Sequence, residues 1–323
     1  MKVISSDILL LILLGSTLLF AQRNYSFNWH EEEIKVDSLT RHFTFYIPRE
    51  CPENAPAVFV FHNYNSGMEE VFHTGDGFNE WPNLADEEKF VLIAPNGVNP
   101  VNNDTKGKNQ KWNDCRTDVS SRGDFSKAND VKFIDELIEW AILNLSIDKN
   151  KIYTAGVGNG GMMVYRLAAK LGDKLAGAAV FLANMPVDFE CGFPEKPLPI
   201  IIMNSKQDPI MPFDGGTIIG DRGEVLSAVE TLNYWVSLNQ LNTQKLTTKF
   251  YEDINPDDNS RIIKNEFDRP LENPPVALNV ITNSGHAVPS IKHEISNKQL
   301  LGNQNRDIEA VEEAWKFFKK FNK

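Results

Sequence analysis

Short, fully apolar runs separated by longer amphipathic stretches recur along this chain. Segments 57–61 (Ala-Val-Phe-Val-Phe) and 90–94 (Phe-Val-Leu-Ile-Ala) are apolar throughout, the pattern of strands covered on both faces. Segment 43–47 alternates with period two and predicts a further strand. So do 151–156, 176–182, 199–203 and 277–282. Over 131–145 the apolar positions Phe133, Leu137, Ile138, Ala141, Ile142 and Leu145 fall on one helical face. Helices are also expected over 160–170, 225–238 and 307–321, with helical and turn segments over 70–88. Strands alternating with helices imply an α/β fold, with a mostly parallel central sheet and helices on both faces. No internal repeat or low-complexity linker divides the chain, so a single domain over 23–323 is expected. The polar stretch 98–129 is rich in Asn, Asp and Gly, and a loop of that length inside a compact domain is expected to serve function.

The start of the chain changes this picture. Lys2 precedes an apolar run over 8–20, followed by Ala21-Gln22 and then polar residues. The run is shorter than the ~20 residues that span a bilayer. It reads as a secretory signal peptide over 1–22, making the protein extracellular, with an uncleaved anchor as the alternative. The net charge of -11 repels phosphate backbones and anionic lipid surfaces, so neither nucleic acid nor a membrane is an expected partner. Cys51, Cys115 and Cys191 allow one disulfide and one leftover thiol, and the sequence does not choose among the pairings. Asn24, Asn103 and Asn144 open glycosylation sequons. No metal or cofactor is expected, and the oligomeric state is left open.

Candidate chemistry begins at Gly156-Val157-Gly158-Asn159-Gly160. A predicted strand precedes it and a predicted helix follows, the setting of the G-x-S-x-G nucleophile elbow with glycine in the middle position. Acyl transfer in this architecture uses a nucleophile, then an Asp or Glu, then a His, in that chain order. Asp208 lies just past the predicted strand at 199–203, and His286 on the loop after the strand at 277–282. Alone, Asp208 reads as a solvated loop aspartate and His286 as a structural histidine; their order and placement give them weight.

With these residues in place, the chain resembles the secreted esterase family that includes poly(3-hydroxybutyrate) depolymerases and feruloyl or acetylxylan esterases, within the α/β-hydrolase superfamily. The matching landmarks run from about Arg41 to Phe321. The family's G-x-S-N-G-G-M-M corresponds to Gly156–Met163, its H-G-T-x-D-P-x-V-P-Y-x-G-G to Asn204–Gly216, and its G-G-G-H-x-W-P to Asn283–Pro289. Trp112-Asn113, Asn129-Asp130-Val131 and 229–235 fall in family-like places. The resemblance implies the α/β-hydrolase fold and ester chemistry by a Ser-Asp-His triad, here with Gly158 at the nucleophile position, Asp208 and His286. It places Asn63 and Asn159 at the oxyanion or binding positions. Trp112, on the polar loop, is a candidate to stack on a sugar or phenolic ring, with buried packing as the alternative.

The departures from the family pattern concentrate where chemistry would occur. Gly158 stands for the serine, Asn63 for the glycine of a His-Gly loop, Asn204-Ser205 for the His-Gly before the acid, and Val288 for a tryptophan. The Asn63 change is compatible with an oxyanion hole, because the donors there are backbone N–H groups. The Gly158 change removes the attacking atom, a loss that typically costs about 10⁶ in kcat. Three readings follow. One is a non-catalytic relative that binds an ester-bearing small molecule or polymer, such as a cell-wall polysaccharide or polyester. Another is an active carboxylic-ester hydrolase in which Gly158 is an engineered or erroneous replacement. The last is an extracellular structural or matrix protein.

Overall fold

In the computed structural model, residues 28–73, 77–116, 125–267 and 272–323 are described; the expected signal peptide at 1–22 and the sequon at Asn24 lie outside them. The chain runs β1 (Asn28–Val36), β2 (Leu39–Ile47), β3 (Ala55–Phe61), the single turn α1 (Glu70–His73), α2 (Trp81–Glu88), β4 (Val91–Pro95), α3 (Asp130–Leu145), β5 (Ile147–Val157), α4 (Asn159–Leu171), β6 (Gly177–Phe181) and β7 (Ile200–Ser205). A small hairpin follows, β8 (Gly216–Thr217) with β9 (Glu224–Val225). Then come α5 (Ala228–Leu238), β10 (Leu246–Phe250), β11 (Arg261–Phe267), β12 (Val276–Thr282), α6 (Lys298–Leu301) and α7 (Ala310–Phe318).

Ten strands form one sheet in the order β1-β2-β4-β3-β5-β6-β7-β12-β11-β10. The central run β4-β3-β5-β6-β7-β12 is parallel throughout, and antiparallel pairs close both edges. The period of two in each strand divides the core. From β3, Ala57, Phe59 and Phe61 join α3, α4 and α5 on one face. Val58 and Val60 join α2 and α7 on the other. This is the α/β-hydrolase fold, with the expected mostly parallel sheet covered on both faces.

The expected elements are present with shifted ends, and the edges hold strands that the apolar pattern does not announce. β1 reads Asn-Trp-His-Glu-Glu-Glu-Ile-Lys-Val, and its consecutive glutamates hide the alternation. β10 is exposed along its whole length. Charged and polar residues are the usual protection of an edge strand, so these segments lack the signal that marks a buried one. The helix expected from 225 begins at Ala228 because Val225 pairs in β9 and Ser227 with Glu230 forms a capping box. Trp235 and Trp315 are buried core residues.

Cys115 and Cys191 form the disulfide, tying the long polar loop to the segment after β6. Cys51 is the free thiol, and partial burial pushes its pKa up to about 11. Among the described residues no helix is long and apolar enough to cross a membrane.

Candidate active site

Parallel strands deliver their loops to one end of the sheet, and the expected site residues converge there. Asn63 follows β3, Gly158 follows β5, Asp208 follows β7 and His286 follows β12. In such sheets ligands bind outside the carboxyl ends of the strands. Gly158 is the residue between β5 and α4, with φ 54° and ψ -119°. That conformation costs a residue with a side chain on the order of 1–3 kcal/mol, and glycine removes the cost. Gly160 is required for a different reason: a Cβ there would lie 2.3 Å from the Phe61 carbonyl oxygen. The helix can approach β3 so closely only without a side chain.

His286 and Asp208 meet as the triad order requires. The Asp208 carboxylate accepts from His286 Nδ1 through Oδ2 at 2.7 Å. Its other oxygen accepts from the Ile210 and Met211 N–H groups at 2.7 and 2.8 Å. Both side chains are buried, and the His286 backbone is pinned by its N–H to the Leu301 carbonyl. The ring is thereby fixed with Nδ1 donating, and Nε2 turned toward Asn63.

The position a nucleophile would occupy is filled by Asn63. Its Nδ2 lies 3.2 Å from His286 Nε2, the nitrogen that would take a nucleophile's proton. Its Oδ1 accepts from the backbone N–H of Tyr64 at 2.7 Å and of Asn159 at 3.3 Å. The N–H after the nucleophile, paired with one from the loop after β3, is the oxyanion hole of this architecture. A Cβ added to Gly158 would fall 2.0 Å from Asn63 Oδ1 and 2.7 Å from its Cγ. One carboxamide therefore covers the nucleophile position, the general-base nitrogen and the oxyanion donors. The residues at 63 and 158 fit each other sterically, and neither position on its own reveals this.

A buried polar framework holds this arrangement. Asn159 accepts from the Trp112 N–H at 2.7 Å and donates to the Trp112 carbonyl and to Asp114 Oδ2. Trp112 is fully buried, packed edge-on against Phe61 with its indole N–H on the His62 carbonyl. Stacking of Trp112 on a sugar or phenolic ring is thus corrected: its ring is inside the core, and it supports the site from beneath through its backbone contacts with Asn159 and its indole on His62. Asn204, at the family's histidine position, bridges the ends of β6 and β7 by donating to Asn184 and accepting from the Ala183 N–H. Val288 is a core residue.

His62 anchors the Asn63 loop from below. Its Nδ1 donates to the Asn63 carbonyl at 2.8 Å, and Nε2 accepts from the Gly97 N–H at 3.0 Å. Only neutral imidazole satisfies both contacts. Burial pushes its pKa down to about 4. Between pH ~6.5 and ~4 the unfolded chain takes up a proton that folded His62 refuses, so stability falls as pH falls through that window. Above it both states are neutral and the contribution is constant. The gap corresponds to ~3 kcal/mol. Urea midpoints at pH 7 and 4.5 should therefore drop more for the wild type than for the non-titrating variant His62→Gln. Equal drops would show that His62 does not carry the acid sensitivity.

Above Gly158 lies a cleft of ≈ 600 Å³, lined by Asn63, Tyr64, Gly158, Asn159 and His286 on its floor. Met162, Met211 and Ile218 form its apolar wall, and Arg116 and Arg222 its cationic side. Most of these wall residues were not among the sequence candidates. Tyr64 adjoins Asn63, and Arg222 sits in the glycine-flanked β8–β9 turn, but neither has a motif of its own.

No family model matches the chain. Over 186 residues it is 26% identical to "Probable feruloyl esterase C" of Aspergillus niger, covering 56% of this chain and 60% of that protein. Over 166 residues it is 22% identical to the bifunctional acetylxylan esterase/xylanase XynS20E of Neocallimastix patriciarum, covering 51% of this chain and 21% of that one. The chain thus spans less than two thirds of the length of these relatives. Among solved structures, acetyl xylan esterase from Aspergillus awamori superposes with a TM-score of 0.58 at 12% identity, over 90% of this chain and 99% of that one. The sequence resemblance is to feruloyl and acetylxylan esterases, and the fold is shared with the acetyl xylan esterase.

Proposed function

We propose that this protein is a secreted, non-catalytic relative of the carboxylic-ester hydrolases, which retains the cleft of an esterase for binding. The observation that carries this reading is the Asn63 carboxamide, hydrogen-bonded to the Tyr64 and Asn159 N–H groups and to His286 over a Gly158 that has no side chain. An ester carbonyl cannot reach those donors while Asn63 holds them, and no side-chain atom at position 158 can form an acyl intermediate. The apolar run at 8–20 and the Cys115–Cys191 disulfide favour an oxidising, extracellular setting. The ligand class is an ester-bearing small molecule, or a polymer such as a cell-wall polysaccharide or polyester, in line with the feruloyl and acetylxylan esterase relatives and with the resemblance of the motifs to polyester depolymerases.

Purified protein should release p-nitrophenol from p-nitrophenyl acetate no faster than buffer, and His286→Ala should leave that background unchanged. Turnover that disappears in His286→Ala would overturn the reading and mark a working site.

A further inference from the structure

We propose that the cleft above Gly158 binds an amphipathic monocarboxylate, with its carboxylate on Arg222 and its apolar body against Met162, Met211 and Ile218. This deepens the binding role proposed above and rests on it. Although the chain's net charge is -11, the described lining of the cleft carries two guanidinium groups and no carboxylate.

The two arginines are not equivalent. Arg116 is already satisfied: Nε and Nη2 lie on the two oxygens of Asp114 at 2.9 and 2.8 Å, and Nη1 donates to the Arg222 carbonyl. It is buried and acts as a brace for the β8–β9 turn. Arg222 is presented to the cleft. Its Nε donates to the Ile219 carbonyl at 2.6 Å, and its guanidinium lies over the Tyr64 ring at 4.5 Å. Its backbone, one edge and one face are thereby fixed, while its terminal Nη groups have no hydrogen-bond partner among the described residues. A planar fork held this way matches the two oxygens of a carboxylate.

The apolar wall sets the rest of the ligand. Ile219 and Leu300, also in the lining, keep 49% and 57% of their surface exposed, so a hydrocarbon body would cover side chains now facing water. A second charge on the ligand would find no counterpart on that wall. A carboxylic acid with one charge and an alkyl or aryl body is the product of ester hydrolysis.

Titration calorimetry with octanoate and its neutral isostere octanamide tests the assignment on the full chain. Octanoate should bind saturably and at least ~10-fold more tightly than octanamide, the increment of a charge-assisted hydrogen-bonded pair. Arg222→Gln should bring octanoate down to about the octanamide level and weaken octanamide far less, because the amide loses only an uncharged acceptor's contact. Arg222→Lys, which keeps the charge but not the fork, should fall between. Arg222 lies on a partly exposed turn, and circular dichroism of both variants should match the wild type. Equal binding of acid and amide, indifference to Arg222→Gln, or no saturable binding of octanoate would overturn the proposal. Those outcomes are separate from ester turnover, which would overturn the non-catalytic reading while octanoate binding persisted.

Discussion

Gly158→Ser alone is expected to leave the protein inert toward activated esters, whereas Asn63→Gly together with Gly158→Ser should turn them over. A Cβ at position 158 meets Asn63 Oδ1 at 2.0 Å, so the carboxamide must swing away and surrender its contacts with Tyr64, Asn159 and His286. These cost about 1 kcal/mol each, added to on the order of 1–3 kcal/mol for a side chain at φ 54°. The single variant should therefore be less stable, and the displaced Asn63 still competes for the oxyanion donors. Removing the carboxamide frees His286 Nε2 and both N–H groups, next to a Ser held on the elbow. Since loss of a triad nucleophile costs about 10⁶ in kcat, the double variant should exceed the wild type by at least ~10³ and take up a fluorophosphonate label. The single variant should remain within ~10-fold of the wild type. A single variant as active as the double would show that Asn63 does not close the site. If both are inert while folded, the site lacks more than a nucleophile and an open hole.

The coupling between Asn63 and Gly158 explains what the sequence could and could not convey. Gly156, Gly160, Asp208 and His286 were legible because each sits in or within a few residues of the carboxyl end of a buried strand, where apolar runs and glycine turns leave a clear pattern. Asn63 was legible only as a substitution compatible with backbone donors. Its side-chain role depends on the space left at Gly158, and a reading that takes positions one at a time cannot register such a fit. Trp112 failed for the opposite reason. An aromatic residue in a polar loop looks available for stacking, yet the loop folds it beneath His62, where its backbone serves Asn159. Arg222 was silent because its value lies in what restrains it: the Ile219 carbonyl within its own turn, and Arg116 and Tyr64 from distant stretches of chain. The edge strands β1 and β10 were hidden by the charges and exposure that keep them from pairing further.

The largest stability effect is expected at Asp130, a family-like landmark whose role emerges only in three dimensions. Arg41 on β2 reaches Asp130 Oδ1 at 2.7 Å, with side-chain exposures of 1% and 0%. Asp130 Oδ2 accepts from the Asn113 N–H at 2.7 Å. The same carboxylate therefore neutralises a buried guanidinium, seated over the Phe133 ring at 4.1 Å, and pins the loop carrying Trp112 and Asp114. Asp130→Ala leaves Arg41 charged, buried and unpaired, a change that typically costs 3–5 kcal/mol. A marked drop in the urea midpoint at pH 7 should report it. Arg41→Met added to Asp130→Ala removes the stranded charge and should recover part of the loss. It cannot recover all of it, because the Asn113 N–H still lacks its acceptor, at about 1–3 kcal/mol. If the double variant is no more stable than Asp130→Ala, the unpaired charge is not the dominant cost. In that case the Asn113 contact, and with it the seating of Trp112 and Asp114 around Asn159, carries the effect.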